Sequence, residues 1–236
     1  MSSAWDQLEN TTVKTFRIPN PSPRSSPPRL IAIEGPLRVG KTGLADILAT
    51  RLQASRLRDV ETNPFLEPFY QSVPGAAFQA QFYFLWNRFK QWQTLDLGAA
   101  EPRMVISDYL FAKDKLFACL NLEHEELQLY EQYYSLLAEQ VPIPDLVIYL
   151  QARPETLKQR IAKKKVRSEQ RISDEYIQEV AGAYEHFFFH YKESDLLVIE
   201  TSKIDFIARD GDLEELLARL SQPVKGTQYF LPLGSA

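Results

Sequence analysis

The chain is 236 residues long, 44% hydrophobic and 25% charged, with a formal net charge of −4. That size suits one α/β domain with a full core, and the negative balance argues against binding to long nucleic acids. The single cysteine, Cys119, excludes an intramolecular disulfide and fits a reducing compartment. No apolar run is long enough to span a membrane, and the N-terminus lacks the apolar core of a secretory signal. A soluble, cytoplasmic protein is therefore expected.

Residues 1–28 carry Pro19, Pro21, Pro23, Pro27 and Pro28 among serines. Such a segment has nothing to build a core from, and a disordered tail is expected there. The folded domain is expected to occupy residues 29–236.

The first apolar run, Leu30–Glu34, enters Gly35-Pro36-Leu37-Arg38-Val39-Gly40-Lys41-Thr42-Gly43. Leu44, Ile47, Leu48 and Leu52 then recur at helical spacing. A strand, a Gly-x-x-x-x-Gly-Lys-Thr loop and a helix in that order form a phosphate cradle. Gly35, Gly40 and Gly43 let the backbone approach a nucleotide, and Lys41 brings a positive charge to its β and γ phosphates. The Thr42 hydroxyl suits Mg²⁺. ATP and Mg²⁺ are the expected cofactors. Pro36 removes one N–H donor from the loop.

Further strand-like runs appear near Arg56–Val60 and at Met104–Asp108, Leu146–Leu150 and Leu196–Glu200, separated by helical stretches. The alternation predicts a P-loop NTPase fold, with a five-stranded parallel sheet flanked by helices. Ligands in such sheets bind beyond the carboxyl ends of the strands. Glu34–Thr42, the segment after Arg58, and Asp108 lie at those ends. Pro154–Lys165 and Asp174–Tyr191 read as two helices. Arg160, Lys163, Lys164, Lys165 and Arg167 around their connection form the densest positive cluster of the chain. Placed late in a phosphate-loop sheet, the cluster reads as a helical lid over transferring phosphates.

From Gly35 onward the chain resembles the bacterial deoxynucleoside kinases, the deoxyadenosine/deoxyguanosine kinase group related to thymidylate kinase. The likeness covers roughly residues 30–232. It rests on Asn63-Pro64-Phe65-Leu66 with Phe69-Tyr70, on Gln81-Phe82-Tyr83-Phe84-Leu85 with Arg88, and on Ser107-Asp108-Tyr109-Leu110-Phe111-Ala112-Lys113. Pro144-Asp145-Leu146, Ile204-Asp205-Phe206 and Gly226-Thr227-Gln228-Tyr229-Phe230 complete it. The resemblance implies transfer of the γ-phosphoryl group of ATP to the 5′-hydroxyl of a deoxynucleoside, preferably a purine. It implies that Gln81, Arg88 and Asp114 read the base, and that Tyr70 and Glu169 hold the sugar 3′-hydroxyl. Asp108 would support Mg²⁺ with Thr42, and Asp205 and Phe206 would pack against the adenine of ATP. Arg160, Lys164 and Arg167 would serve the lid. Phe65, Phe82 and Trp86 are candidate walls of the nucleoside slot. A homodimer is implied as well, and the apolar stripe of Glu125–Gln140 suits its interface.

Four departures accompany the likeness. The related kinases place a glutamate, their general base, five residues before the Asn-Pro-Phe-Leu element, where this chain has Arg58. An arginine cannot accept a proton near neutral pH. Asp59 and Glu61 are the neighbouring carboxylates, and Asp59 is taken as the candidate replacement. Arg38 stands where the related loops have glycine. In an ungapped lid, Lys165 takes a glycine position and Val166 an arginine position, whereas one shifted gap restores Arg167 to the latter. Tyr109 replaces the arginine of more distant relatives. The Arg58 substitution keeps an alternative open, a degenerate kinase fold that binds nucleotide and acts through a partner. His186 and His190 have the spacing of a metal pair, but Phe187–Phe189 indicate a packed helix instead.

Overall fold

The computed structural model describes residues 28–95, 104–166 and 169–232, with only the backbone described at position 170. The expected N-terminal tail and Arg167 fall outside the described residues. The described chain forms two compact units, one of residues 28–59, 104–110 and 143–232, the other of residues 60–95 and 111–142.

The first unit is built on a parallel sheet of β1 (Leu30–Glu34), β2 (Ser55–Leu57), β3 (Val105–Ser107), β4 (Leu146–Gln151), β5 (Asp195–Glu200) and β6 (Thr227–Phe230). Their spatial order is β2-β3-β1-β4-β5-β6. The sheet has six strands, where the sequence patterns predict five. β6 is the addition, pairing in parallel with β5 from Leu196↔Thr227 to Ile199↔Phe230. It is an edge strand in which exposed Thr227 and Tyr229 alternate with half-buried Gln228 and Phe230. Four residues that are not continuously apolar give almost no strand signal, and pairing with β5 supplies what propensity does not. β2 is likewise displaced from Arg56–Val60 to Ser55–Leu57, because only Leu57 of this edge is buried. The central strands carry near-continuous apolar runs, as strands covered on both faces must; all five residues of β1 are buried.

Helices α1 (Lys41–Arg51), α6 (Pro154–Lys164), α7 (Asp174–His190) and α8 (Asp210–Leu220) accompany the sheet. α6 starts with proline in its first turn, where a missing N–H costs nothing, and ends with Lys163 and Lys164 at the negative pole of the helix. Ser173 caps α7, its hydroxyl accepting from the Tyr176 N–H at 3.1 Å. Ile31, Ile33, Leu44, Leu48, Ile148, Leu150, Leu157, Leu197, Ile199 and Leu216 belong to one core.

The second unit is helical, with α2 (Leu66–Tyr70), α3 (Ala76–Gln93), α4 (Lys113–Asn121) and α5 (His124–Ala138). α3 turns Ala76, Ala80, Gln81, Leu85, Arg88, Phe89 and Trp92 inward. Among the described residues no helix is long and apolar enough to cross a membrane.

Cys119 is buried on α4, and burial pushes its thiol from 9.0 up to about 11, with Lys115 pulling it down and Glu131 pushing it up. Only a small thiolate fraction then exists at pH 8. Alkylation by iodoacetamide at that pH should be about a hundredfold slower in the native protein than after unfolding. A thiol held high in the folded state also favours folding below pH 9 and loses that contribution as pH rises toward 11. Equal labelling of native and unfolded protein would contradict this environment.

Candidate active site

The phosphate loop leaves β1 at Gly35 (φ +151°) and enters α1 at Gly40 (φ +115°), both in left-handed backbone where glycine is at ease. Both are also crowded. A Cβ at Gly35 would lie 2.3 Å from the Leu150 carbonyl oxygen, and one at Gly40 would lie 2.9 Å from Cζ of Phe206. No side chain caps α1, so its N-terminal amides are left for the loop and for an anion. The Lys41 ammonium is folded onto the loop, donating to the carbonyls of Gly35 at 2.5 Å and Pro36 at 3.1 Å.

Glu34, which sequence reasoning did not single out, organises this corner. Its carboxylate is 1% exposed. Oε1 accepts from the Gly35 N–H at 2.8 Å and from the Tyr184 hydroxyl at 3.0 Å, and Oε2 accepts from the Leu110 N–H at 2.7 Å. Lys41 Nζ lies 3.9 Å from Oε1. An acid closing an otherwise apolar buried strand was the available signal. Tyr149 stacks on Tyr184 and Phe188 behind it, and burial drives its phenol far above the usual range.

At the ends of β2 and β3 the structure gathers four charged side chains. Asp108 is buried; Oδ2 accepts from Arg56 Nη2 at 3.0 Å and Oδ1 from the Asp59 N–H at 2.6 Å. Arg56 also donates from Nε to Asp46 Oδ1 at 3.0 Å. Arg58 is exposed and turns to the same Asp46 oxygen, at 3.1 Å. The arginine in the expected base position is thus drawn along α1, while the Asp59 backbone is anchored to Asp108. Arg56 was missed by sequence reasoning because its strand is only three residues long and weakly patterned.

The donor set for Mg²⁺ is sparse in protein ligands. Thr42 offers a hydroxyl, and both Asp108 oxygens already accept a hydrogen bond. Among the described residues no group of three or more His, Cys, Asp or Glu could hold a metal ion. These residues fit an ion that keeps its waters and arrives on nucleotide phosphates, as Mg²⁺ commonly does, and do not fit a resident ion caged by the protein.

Around the lid, Arg160 is committed to backbone. Its guanidinium donates to the carbonyls of Val39 (3.1 Å), Thr201 (2.8 Å) and Ile204 (3.3 Å). Burial lowers its pKa, and Asp205 and Glu200 oppose that. Lys164 is exposed at the end of α6. Lys165 adopts φ 55°, the left-handed backbone that commonly ends a helix. Glu169 opens a short 3₁₀ turn, Glu169–Arg171, and pairs with Arg38 of the phosphate loop. Asp205 Oδ1 accepts from the N–H groups of Ile207 and Ala208, capping its own turn. Phe206 is buried in the core, its ring against Gly40.

In the helical unit, Gln81 and Arg88 share the buried face of α3, 6% and 5% exposed. Arg88 Nη1 binds Asp114 Oδ1 of α4 in a buried ion pair and also lies 4.6 Å from the Phe84 ring centroid. Tyr70 is half-buried on α2. Phe65 packs edge-on to Tyr83, and Phe82 lies between Phe78 and Tyr133. Trp86 is 47% exposed.

Residues 31–225 match a family model described as deoxynucleoside kinase. Among curated proteins, the chain is similar to a deoxyguanosine kinase of Bacillus subtilis, 32% identical over 81% of this chain and 96% of the relative. A deoxyadenosine/deoxycytidine kinase of the same organism is 27% identical over 84% of this chain and 94% of that one. The structure of a deoxyadenosine kinase from M. mycoides with bound dATP superposes with a TM-score of 0.69 at 23% identity, covering 82% of this chain and 100% of the other. That likeness establishes the fold.

Removing Arg56 should strand the buried Asp108 carboxylate, whereas Arg58 is a surface partner. Arg56→Ala should cost about 3 kcal/mol of stability, and Arg58→Ala less than about 1 kcal/mol, read as shifts of the urea midpoint. Equal losses would contradict the difference in burial.

Proposed function

The chain belongs to the deoxynucleoside kinase family, and from that premise we propose that it transfers the γ-phosphoryl group of ATP to the 5′-hydroxyl of a purine deoxynucleoside. The observation that carries this reading is the set of buried polar side chains on α3 and α4, with Gln81 on the same buried face of α3 as Arg88, which pairs with Asp114. Amide, guanidinium and carboxylate together offer donors and acceptors in a fixed pattern, which a base edge can answer. The similarity to a deoxyguanosine kinase makes deoxyguanosine the first substrate to try, with deoxyadenosine next.

Each remaining group then has a task. Tyr70 and Glu169 take the sugar 3′-hydroxyl. The loop amides of Gly35, Gly40 and Gly43, with Lys41, hold the ATP phosphates, and Asp205 and Phe206 shape the adenine side. Mg²⁺ arriving with ATP would be held by Thr42, with Asp108 beyond it, and would neutralise charge on the phosphates. Arg160 holds the phosphate loop to the segment after β5, and Lys164 and Arg167 supply the lid's positive charge. Asp59 accepts the proton of the 5′-hydroxyl, since Arg58 cannot. Phosphoryl transfer depends mainly on positioning and charge stabilisation, so a weaker base slows the reaction without abolishing it. A catalytically inert nucleotide binder is the less favoured reading, because the similar proteins bear the names of kinases.

The proposed chain works as a homodimer in an aqueous, reducing compartment. Trp86 on α3 and Leu129, Tyr133 and Leu136 on α5 expose between 45% and 62% of their surface, enough apolar area to suit a second copy.

ATP-dependent phosphorylation of the four common deoxynucleosides should show the highest kcat/KM for a purine. Asp59→Asn should lower kcat by about 10²–10⁴-fold while leaving KM nearly unchanged. Absence of deoxynucleoside-dependent turnover in the wild type would overturn the reading. Sedimentation should give twice the chain mass of 27.2 kDa, and Tyr133→Glu with Leu136→Glu should halve it; a wild-type monomer would refute the dimer.

A further inference from the structure

Arg38 holds a left-handed backbone, φ 61°, inside the phosphate loop, a conformation that is strained for an L-residue. Its guanidinium reaches across to the lid. Nε donates to Glu169 Oε2 at 2.8 Å, and Nη2 donates to Oε1 at 2.6 Å. The two side chains are 27% and 13% exposed, so the pair is largely sheltered from water.

Two parallel N–H···O bonds fix the plane of a carboxylate, which a lysine or a lone hydrogen bond cannot do. The turn that carries Glu169 is short: it is three residues long, it follows a helix that ends in left-handed Lys165, and among the described residues its backbone bonds run from the Glu169 N–H to Val166 and from the Ile172 N–H to Glu169, with Ile172 packed against the core. Each Glu169 oxygen keeps a second lone pair after the fork has formed, so the carboxylate can accept a hydroxyl without releasing Arg38.

We propose that Arg38 is a positioning residue that orients the Glu169 carboxylate as the acceptor for the sugar 3′-hydroxyl, coupling the phosphate loop to recognition of the nucleoside. The inference rests on the assignment of Glu169 to that hydroxyl, made above. It makes the phosphate loop of this chain a contributor to the choice of nucleoside as well as the holder of ATP.

Calorimetric titration of the full chain with deoxyguanosine and with 2′,3′-dideoxyguanosine, which lacks the 3′-hydroxyl, tests the proposal. Arg38→Ala should weaken deoxyguanosine about tenfold and leave the dideoxy compound within about twofold. Glu169→Ala should give the same loss, the double variant no more than either single one, and Arg38→Lys only partial recovery. Equal weakening of both nucleosides, or additive losses, would overturn it. So would a wild type that binds the two nucleosides equally, even if it turns them over and thereby upholds the kinase reading. Should neither nucleoside bind, the substrate reading itself fails. The pair is then judged by hydrogen exchange over residues 160–174, expected to quicken alike in Arg38→Ala and Glu169→Ala; unchanged exchange would refute it.

Discussion

Glu34 lies at the carboxyl end of the central strand β1 with its carboxylate 1% exposed, and its oxygens accept from Gly35, Leu110 and Tyr184. A charge so placed would be costly if any of these donors were missing. Satisfied, it fixes three backbone courses at once: the start of the phosphate loop, the turn leaving β3, and α7 through Tyr184. The loop's other requirements follow from that anchoring. Gly35 can be only glycine because the Val39 side chain and the Leu150 carbonyl close on it. Lys41 is held in the loop mouth by two carbonyls and lies near the same carboxylate.

Next to this anionic anchor stands a corner of unusual charge. Arg58 is bound to Asp46, while Arg56 joins Asp46 to Asp108. The corner is close to neutral, with its carboxylates engaged rather than displayed.

The phosphate loop and the parallel sheet were legible because each follows from local periodicity or spacing, whereas the Gln81–Arg88 pair was picked out only through the family resemblance. Buried strands are apolar throughout, and residues seven apart on a helix share a face. β6 was not legible, since an edge strand of four residues borrows its order from β5. Neither Glu34 nor Arg56 advertised a role, because their importance lies in partners far away in sequence: Leu110 and Tyr184 for one, Asp108 for the other. Arg160 shows the converse. Its place in a basic cluster pointed to phosphates, yet its donors are spent on carbonyls that only the folded chain brings to it.

The dependence of the phosphate corner on Glu34 is tested most directly by Glu34→Gln, measured for both unfolding free energy and ATP affinity. An amide has one oxygen where three donors converge, and its own N–H₂ must then face a backbone N–H. The variant should lose about 1–3 kcal/mol of stability and bind ATP more weakly, through a loop no longer pinned at Gly35. Full stability with undiminished ATP binding would contradict the account.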